Sequence, residues 1–169
     1  MTRQDFIKKW AAYTLALILT AALQGLLFSR LRPLGVTPVL LPAALAALAA
    51  LEGPAAGAGF GIAVGVFSMS LDGSGALIIL LACLGGLITG LLSRYVLSRS
   101  FLGCLLCCLG MLTLRMAWLV LSHWLERAAP LPVLLQVAVP ELLWSLLLAP
   151  IVYGMFRFIY PRWGAGYYA

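Results

Sequence analysis

Charge is the scarcest property of this 169-residue sequence: 9% of its residues are charged, whereas 64% are hydrophobic. A soluble domain of ordinary composition is about 25% charged and roughly 45–50% apolar. A short soluble chain could not hide this much apolar surface, because a small globule leaves much of its surface in water. The composition therefore predicts that lipid is the solvent for most of the protein.

Groups that carry chemistry are also few, with five carboxylates and one histidine, His123, in the whole chain. The sequence contains no nucleophile elbow, no phosphate-binding loop, no HExxH and no pair of carboxylates on one helix face. His123 stands beside Trp124, which favours an interfacial polar residue over a catalytic base or a ligand. These absences indicate a protein that is not an enzyme and that needs no cofactor.

The four cysteines are interpreted as packing residues rather than as a disulfide framework or a metal site. All of them lie inside apolar runs: Cys83, Cys104, Cys107 and Cys108. A zinc site built on the last three would need a fourth ligand and polar groups behind the ligands, and no candidate lies nearby. Small apolar filler within membrane helices is the favoured interpretation.

Long apolar runs are what the sequence does contain, and a membrane-spanning helix needs about 20 such residues. We predict one transmembrane domain over residues 1–169, an all-α bundle of about six spans. The predicted spans are residues 10–28, 37–51, 55–71, 76–96, 101–121 and 140–159. The run up to Phe28 exceeds the apolar core of a signal peptide, which favours an uncleaved first span. Residues 122–139 are predicted to connect the last two spans, either as a loop alone or as a loop with a short interfacial helix.

The basic residues set the predicted orientation, because lysine and arginine favour the cytoplasmic side. The net charge of +6 therefore indicates contact with lipid headgroups rather than with nucleic acid. With the N-terminus in the cytoplasm, the cytoplasmic side holds Arg3, Lys8, Lys9, Arg94, Arg99, Arg157 and Arg162. The outer side then holds Arg30, Arg32 and Arg127. This bias favours a multi-pass protein with both termini in the cytoplasm.

Glycines recur at helical spacing in the third and fourth predicted spans. Gly57, Gly61 and Gly65 repeat every four residues and lie along nearly one face of a helix. Gly86 and Gly90 form a similar pair. Small residues at this spacing let two helix backbones approach closely in lipid. The two glycine faces either pack inside the bundle or dock another membrane protein, and the sequence leaves both alternatives open.

Arg115 interrupts the fifth predicted span, where a charge costs about 2.5–3.5 kcal/mol to insert and so needs a partner. Glu141 is the best candidate, because both residues fall on the outer side of the midplane in this topology. The alternative partners are Gln24, Gln136 and Ser145. Glu141 also follows Pro140 at a predicted helix N-terminus, where a carboxylate meets the positive end of the helix dipole.

The whole pattern resembles the MreD family of rod shape-determining proteins, over nearly the full chain. Three segments carry the resemblance: Pro38-Val-Leu-Leu, the glycine ladder of the third span and, most specifically, Leu143-Trp-Ser-Leu-Leu-Leu-Ala-Pro-Ile-Val-Tyr153. Many similar sequences place an aspartate about four residues after the last ladder glycine. Here that position is Met69, and the nearest acid is Asp72, which opens the turn Asp72-Gly-Ser-Gly75. We interpret Asp72 as a turn residue. Two alternatives stay open for the family acid: Asp72 replaces it from the same helix face, or the acid is dispensable in this chain.

The resemblance implies a non-enzymatic scaffold of the bacterial cell-elongation machinery, located in the cell membrane. The implied partners are membrane lipid, an MreC-like protein, a RodA-like glycosyltransferase with its transpeptidase and, indirectly, an MreB-like filament. The resemblance also implies a fold similar to the substrate-binding subunits of energy-coupling-factor vitamin transporters. The alternative function is therefore that of a substrate-binding subunit in such a transporter, although the predicted outer loops offer few polar groups for a tight pocket.

Overall fold

The computed structural model describes residues 3–28, 37–72, 75–95, 101–125 and 130–163, and its regular structure over these ranges is entirely helical. Six α-helices follow one another in the described chain: α1 (Arg3–Ala22), α2 (Leu41–Glu52), α3 (Pro54–Asp72), α4 (Leu77–Tyr95), α5 (Phe101–Leu125) and α6 (Leu131–Trp163). A π-helical segment, Leu23–Phe28, continues α1. The all-α class predicted from the sequence is confirmed.

Four of these helices, α3 to α6, contain stretches that are long and apolar enough to cross a membrane. The stretches are Pro54–Leu71, Leu77–Tyr95, Leu102–Leu125 and Pro132–Ile159. Large apolar side chains such as Leu84, Leu106 and Ile151 are exposed on these helices, as expected where lipid is the solvent. The chain is therefore a multi-pass membrane protein.

The second helix differs from the second predicted span, residues 37–51. It begins at Leu41 and has 12 residues, whereas a bilayer core about 30 Å thick needs about 20. Residues 37–40 precede the helix, with Leu40 as its N-cap, and Pro38 disfavours helical backbone at Thr37 before it. Pro42, by contrast, is accommodated in the first turn. The structure thus replaces the predicted span with an apolar helix that is too short to cross a bilayer by itself.

α2 lies at the centre of the bundle. Every residue from Leu41 to Leu51 is buried, and α2 contacts each of α1, α3, α4, α5 and α6. Its alanine-rich sequence presents small side chains on all sides, which lets the surrounding helices approach closely. A helix that is apolar all round is expected to be enclosed. The alanine-rich run therefore marks the core of the bundle.

The predicted connection at residues 122–139 is much shorter in the structure. α5 continues to Leu125 and α6 begins at Leu131, so that most of this segment is helical. Pro132 stands in the first turn of α6, where the missing N–H group is no loss. Pro140 does not begin the last helix as predicted, because one missing hydrogen bond does not interrupt a helix of 33 residues.

Candidate functional site

A buried ion pair joins the middle of α5 to the first part of α6. Arg115 Nη1 lies 3.3 Å from Glu141 Oε1, and the exposed fractions of the two side chains are 7% and 15%. Burial of either charge alone would be costly, whereas a hydrogen-bonded pair is tolerated. The structure thus brings together the two charged residues that the sequence places on the same side of the midplane.

The N-terminus of α2 lies inside the protein, where two side chains satisfy backbone N–H groups. The side-chain carbonyl of Gln24 accepts hydrogen bonds from the N–H groups of Leu40 and Leu41, at 2.9 and 3.1 Å. The Ser145 hydroxyl accepts one from the N–H group of Val39 at 2.8 Å. A buried N–H group without an acceptor costs about 1–3 kcal/mol. Gln24 and Ser145 therefore hold α2 in place.

Ser145 also links this cap to the ion pair. Its hydroxyl donates a 2.7 Å hydrogen bond to the backbone carbonyl of Glu141, one turn earlier in α6. Gln24 and Ser145, two of the alternative partners for Arg115, thus serve the backbone of α2 and α6. Gln136, the third alternative, is exposed. Gln24, Arg115, Glu141 and Ser145 thus form one group of polar side chains near the N-terminus of α2.

A second buried ion pair, which the sequence does not predict, closes the other end of α2. Lys9 Nζ lies 2.5 Å from Glu52 Oε2, and the exposed fractions of these side chains are 5% and 6%. The Tyr13 hydroxyl donates a 2.7 Å hydrogen bond to Glu52 Oε1. Lys9 is therefore buried rather than in contact with headgroups. The one signal in the sequence is an acid, Glu52, that ends an otherwise apolar helical run.

Aromatic rings surround the Lys9–Glu52 pair. Trp10 stacks on Phe60 of α3 with 5.6 Å between ring centroids, and Tyr13 stacks on Phe156 of α6 with 6.1 Å. Tyr13 and Phe156 are fully buried. Such ring pairs contribute about 0.5–1.5 kcal/mol beyond the area that they bury. Side chains from α1, α3 and α6 thus close this end of the bundle around the charges.

The glycines of α3 and α4 face one another and bring the two helices into backbone contact. A Cβ atom on Gly57 would lie 2.3 Å from the carbonyl oxygen of Gly86. On Gly61, Gly65 or Gly90, a Cβ atom would lie 2.5 or 2.6 Å from backbone atoms of another part of the chain. Real Cβ atoms essentially never come so close to other atoms. All five glycines therefore pack inside the bundle, which is one of the two alternatives left open by the sequence.

Asp72 is the last residue of α3. Its side chain and the neighbouring Gly73 and Ser74 lie outside the described residues, so that its role in the turn stays a prediction. Met69, at the position where the MreD resemblance predicts an acid, is exposed on α3. An exposed apolar side chain at this position is consistent with a lipid-facing surface.

All four cysteines are free thiols, and those of α5 are buried while Cys83 is half-buried. The Cys108 thiol donates a hydrogen bond to the carbonyl of Ala43 in α2, with 3.7 Å between sulfur and oxygen. Over the described ranges, no group of three or more histidine, cysteine, aspartate or glutamate residues is arranged to hold a metal ion. The thiols of α5 belong to the packed core around α2.

Two apolar grooves open on the sides of the bundle. The larger, which we call the α5–α6 groove, has a volume of about 450 Å³ and is lined by residues that include Ala117, Trp124 and Val139. The other lies between α1 and α3, beside Gly59 and Phe60, and has a volume of about 360 Å³. Both suit an acyl chain or the side chains of a neighbouring helix better than a polar solute.

No family model, curated protein or solved structure matches this chain. The chemistry that the described residues display is ion pairing at both ends of α2, capping of its N-terminus and close apolar packing. Each of these features holds helices in a fixed arrangement. Within the described ranges, the surfaces left for contact with other molecules are the sides of the helices and the grooves between them.

Proposed function

We propose that the protein is a non-enzymatic scaffold of the bacterial cell-elongation complex. It would hold an MreC-like protein and a RodA-like glycosyltransferase with its transpeptidase through helix–helix contacts, and reach an MreB-like filament indirectly. In this proposal the chain is a multi-pass protein of the bacterial cell membrane, with both termini in the cytoplasm. It supports cell shape and peptidoglycan synthesis by keeping these partners together.

The observation that carries the proposal is the difference between the inner and outer faces of the helices. The glycine faces of α3 and α4 are occupied inside the bundle, whereas grooves and large apolar side chains lie on the outside. Association of helices in lipid depends on close packing and shape, because lipid chains are as apolar as the side chains. Outward-facing grooves give a partner helix a surface against which its side chains can pack closely.

The segment that most specifically resembles the MreD family, residues 143–153, lies in the middle of α6. The residues buried on its inner face are Ser145, Ala149, Val152 and Tyr153. The residues exposed on its outer face are Leu143, Leu147 and Ile151. The inner face fixes α2 through the Ser145 cap, and the outer face is free of polar groups over these three positions. This combination suits a helix that anchors the core and presents an apolar surface to partners.

The alternative, a substrate-binding subunit of a vitamin transporter, requires a pocket of about 300–1,000 Å³ with convergent polar groups. The cavity beside Arg115 and Ser68 has a volume of about 30 Å³, which has room for about one water molecule. The larger grooves are apolar and open on the sides of the bundle. Cavities among the described residues therefore favour helix docking over solute binding.

Depletion of the protein in its rod-shaped host tests the proposal. We expect depleted cells to round or swell and to insert less peptidoglycan along the cylinder of the cell, and re-expression of the unaltered chain to restore both. Vitamin uptake is expected to stay unchanged. Normal cell shape together with a new vitamin requirement would contradict the scaffold function and support the transport alternative.

A further inference from the structure

A crevice separate from the α5–α6 groove lies beside the Glu141 carboxylate, between the same two helices. Its volume is about 170 Å³, and its lining includes His123 and Glu141 among apolar side chains. Met116, Val120 and Ala138 line both cavities and form the boundary between them. The described lining of the α5–α6 groove has no ionisable side chain. The two cavities therefore differ in chemistry although they flank one helix pair.

The two polar residues mark opposite ends of this crevice. Its lining runs from Met116 to His123 on α5 and from Leu134 to Glu141 on α6, which is about 10 Å along each helix axis. Because Arg115 pairs with Glu141 between antiparallel helices, His123 lies level with the start of α6. His123 is exposed. The crevice thus leads from an exposed imidazole to the carboxylate of the buried ion pair.

Glu141 is the less buried partner of the ion pair, with 15% of its side chain exposed against 7% for Arg115. An ionised acid that faces lipid at the centre of a helix is strongly disfavoured. Water at the carboxylate removes that cost, and 170 Å³ has room for about five molecules at ~30 Å³ each. Water is therefore the molecule expected in a crevice that has the Glu141 carboxylate at one end and the His123 imidazole at the other.

We propose that the crevice is a water-binding site through which the aqueous phase reaches Glu141 from the His123 end. The Arg115–Glu141 pair is then hydrated on one side, while Arg115 faces the protein interior. The neighbouring α5–α6 groove holds lipid chains or apolar side chains instead. This inference is independent of the proposed scaffold function.

Val137 and Val139 give a matched pair for the test. Both are 53% exposed, Val137 lines the crevice and Val139 lines the α5–α6 groove. Val137→Cys and Val139→Cys are made singly in the full chain, in native membranes opened to both sides. The rate of reaction with a charged, membrane-impermeant thiol reagent is then measured. The unsubstituted chain, whose thiols are buried or half-buried, gives the background.

We expect Val137→Cys to react at least about tenfold faster than Val139→Cys, because only a hydrated thiol ionises to the reactive thiolate. Equal rates for the two variants would overturn the proposal. So would reaction of both variants with a lipid-soluble maleimide alone, because the crevice would then be filled by lipid.

A second measurement tests the carboxylate itself. Val137→Cys is labelled with a cationic and an anionic reagent of equal size, and Glu141 is expected to favour the cationic one. Adding Glu141→Gln leaves the Arg115 cation alone, so that the preference should disappear or reverse. A cationic preference that persists in the Glu141→Gln background would overturn the assignment of Glu141 to the crevice.

Discussion

Gly57 and Gly86 face each other so closely that a Cβ atom on either one would lie 2.3 Å from the carbonyl oxygen of the other. The contact joins two backbones, so that no side-chain rotation can relieve a clash. Close approach of this kind gives helices in lipid the van der Waals contact on which their association depends. α3 and α4 are therefore built to pack as one unit, and Gly57 and Gly86 are not available to a partner.

Gly57→Ala is expected to lower the free energy of unfolding by about 1–3 kcal/mol, because α3 and α4 must move apart to admit the methyl group. Gly59 is the matched control, since a Cβ atom there meets nothing within 4 Å. Gly59→Ala is expected to be neutral or to stabilise by about 0.5–1 kcal/mol, because alanine favours helix. Thermal unfolding in detergent compares the two, and equal midpoints would contradict the packing described here.

Glu141→Leu is expected to destabilise the protein by about 3–5 kcal/mol, because it leaves the Arg115 cation buried without its carboxylate. Arg115→Leu is expected to cost less, since the Glu141 side chain is more exposed. The double variant Arg115→Leu/Glu141→Leu removes both charges and should recover most of the loss. Unfolding midpoints of the three variants test this order. A double variant less stable than Glu141→Leu alone would contradict it.

Gln24→Leu is expected to cost about 1–3 kcal/mol for each of the two α2 N–H groups, at Leu40 and Leu41, that lose their acceptor. Gln136→Leu is the control, because Gln136 is exposed and should tolerate the same change. Hydrogen exchange at the start of α2 gives the local readout. Unchanged protection of Leu40 and Leu41 in Gln24→Leu would show that the cap does not hold the helix.

Lys9→Met is expected to destabilise the protein more than Tyr13→Phe, because it leaves the buried Glu52 carboxylate without a cation. Tyr13→Phe removes one hydrogen bond to that carboxylate and should cost about 1.5–3 kcal/mol. Lys8→Met, at an exposed position, is the control and should be nearly neutral. If Lys8→Met and Lys9→Met unfold at the same temperature, the Lys9–Glu52 pair is not a stabilising contact.

The sequence predicts those features of the structure that follow from lipid as the solvent. Apolar runs locate the long helices, because each backbone polar group must be satisfied within its own helix. The Arg115–Glu141 pair can be predicted from the sequence, because a charge inside an apolar run needs a partner. The glycine spacing indicates a packing face but not which neighbour occupies it, since several helices could present a matching surface.

Features that depend on three-dimensional neighbours escape the sequence. The burial of Lys9 follows from the antiparallel packing of α1 on α2, which places it at Glu52, 43 positions away. The role of Gln24 depends on where the non-helical residues before Leu41 enter the bundle. The run beginning at Leu41 would be apolar both in a helix that crosses the membrane and in one that ends inside the protein. Composition alone therefore cannot give the length of α2.

Co-purification from native membranes tests most directly whether the sides of these helices dock partners in the cell-elongation complex. The full-length tagged chain is extracted in mild detergent, beside an unrelated multi-pass membrane protein that carries the same tag. We predict that an MreC-like protein and a RodA-like glycosyltransferase are recovered with the chain and not with the control. Recovery of the folded chain without either protein, or together with the subunits of a vitamin transporter, would contradict the scaffold function.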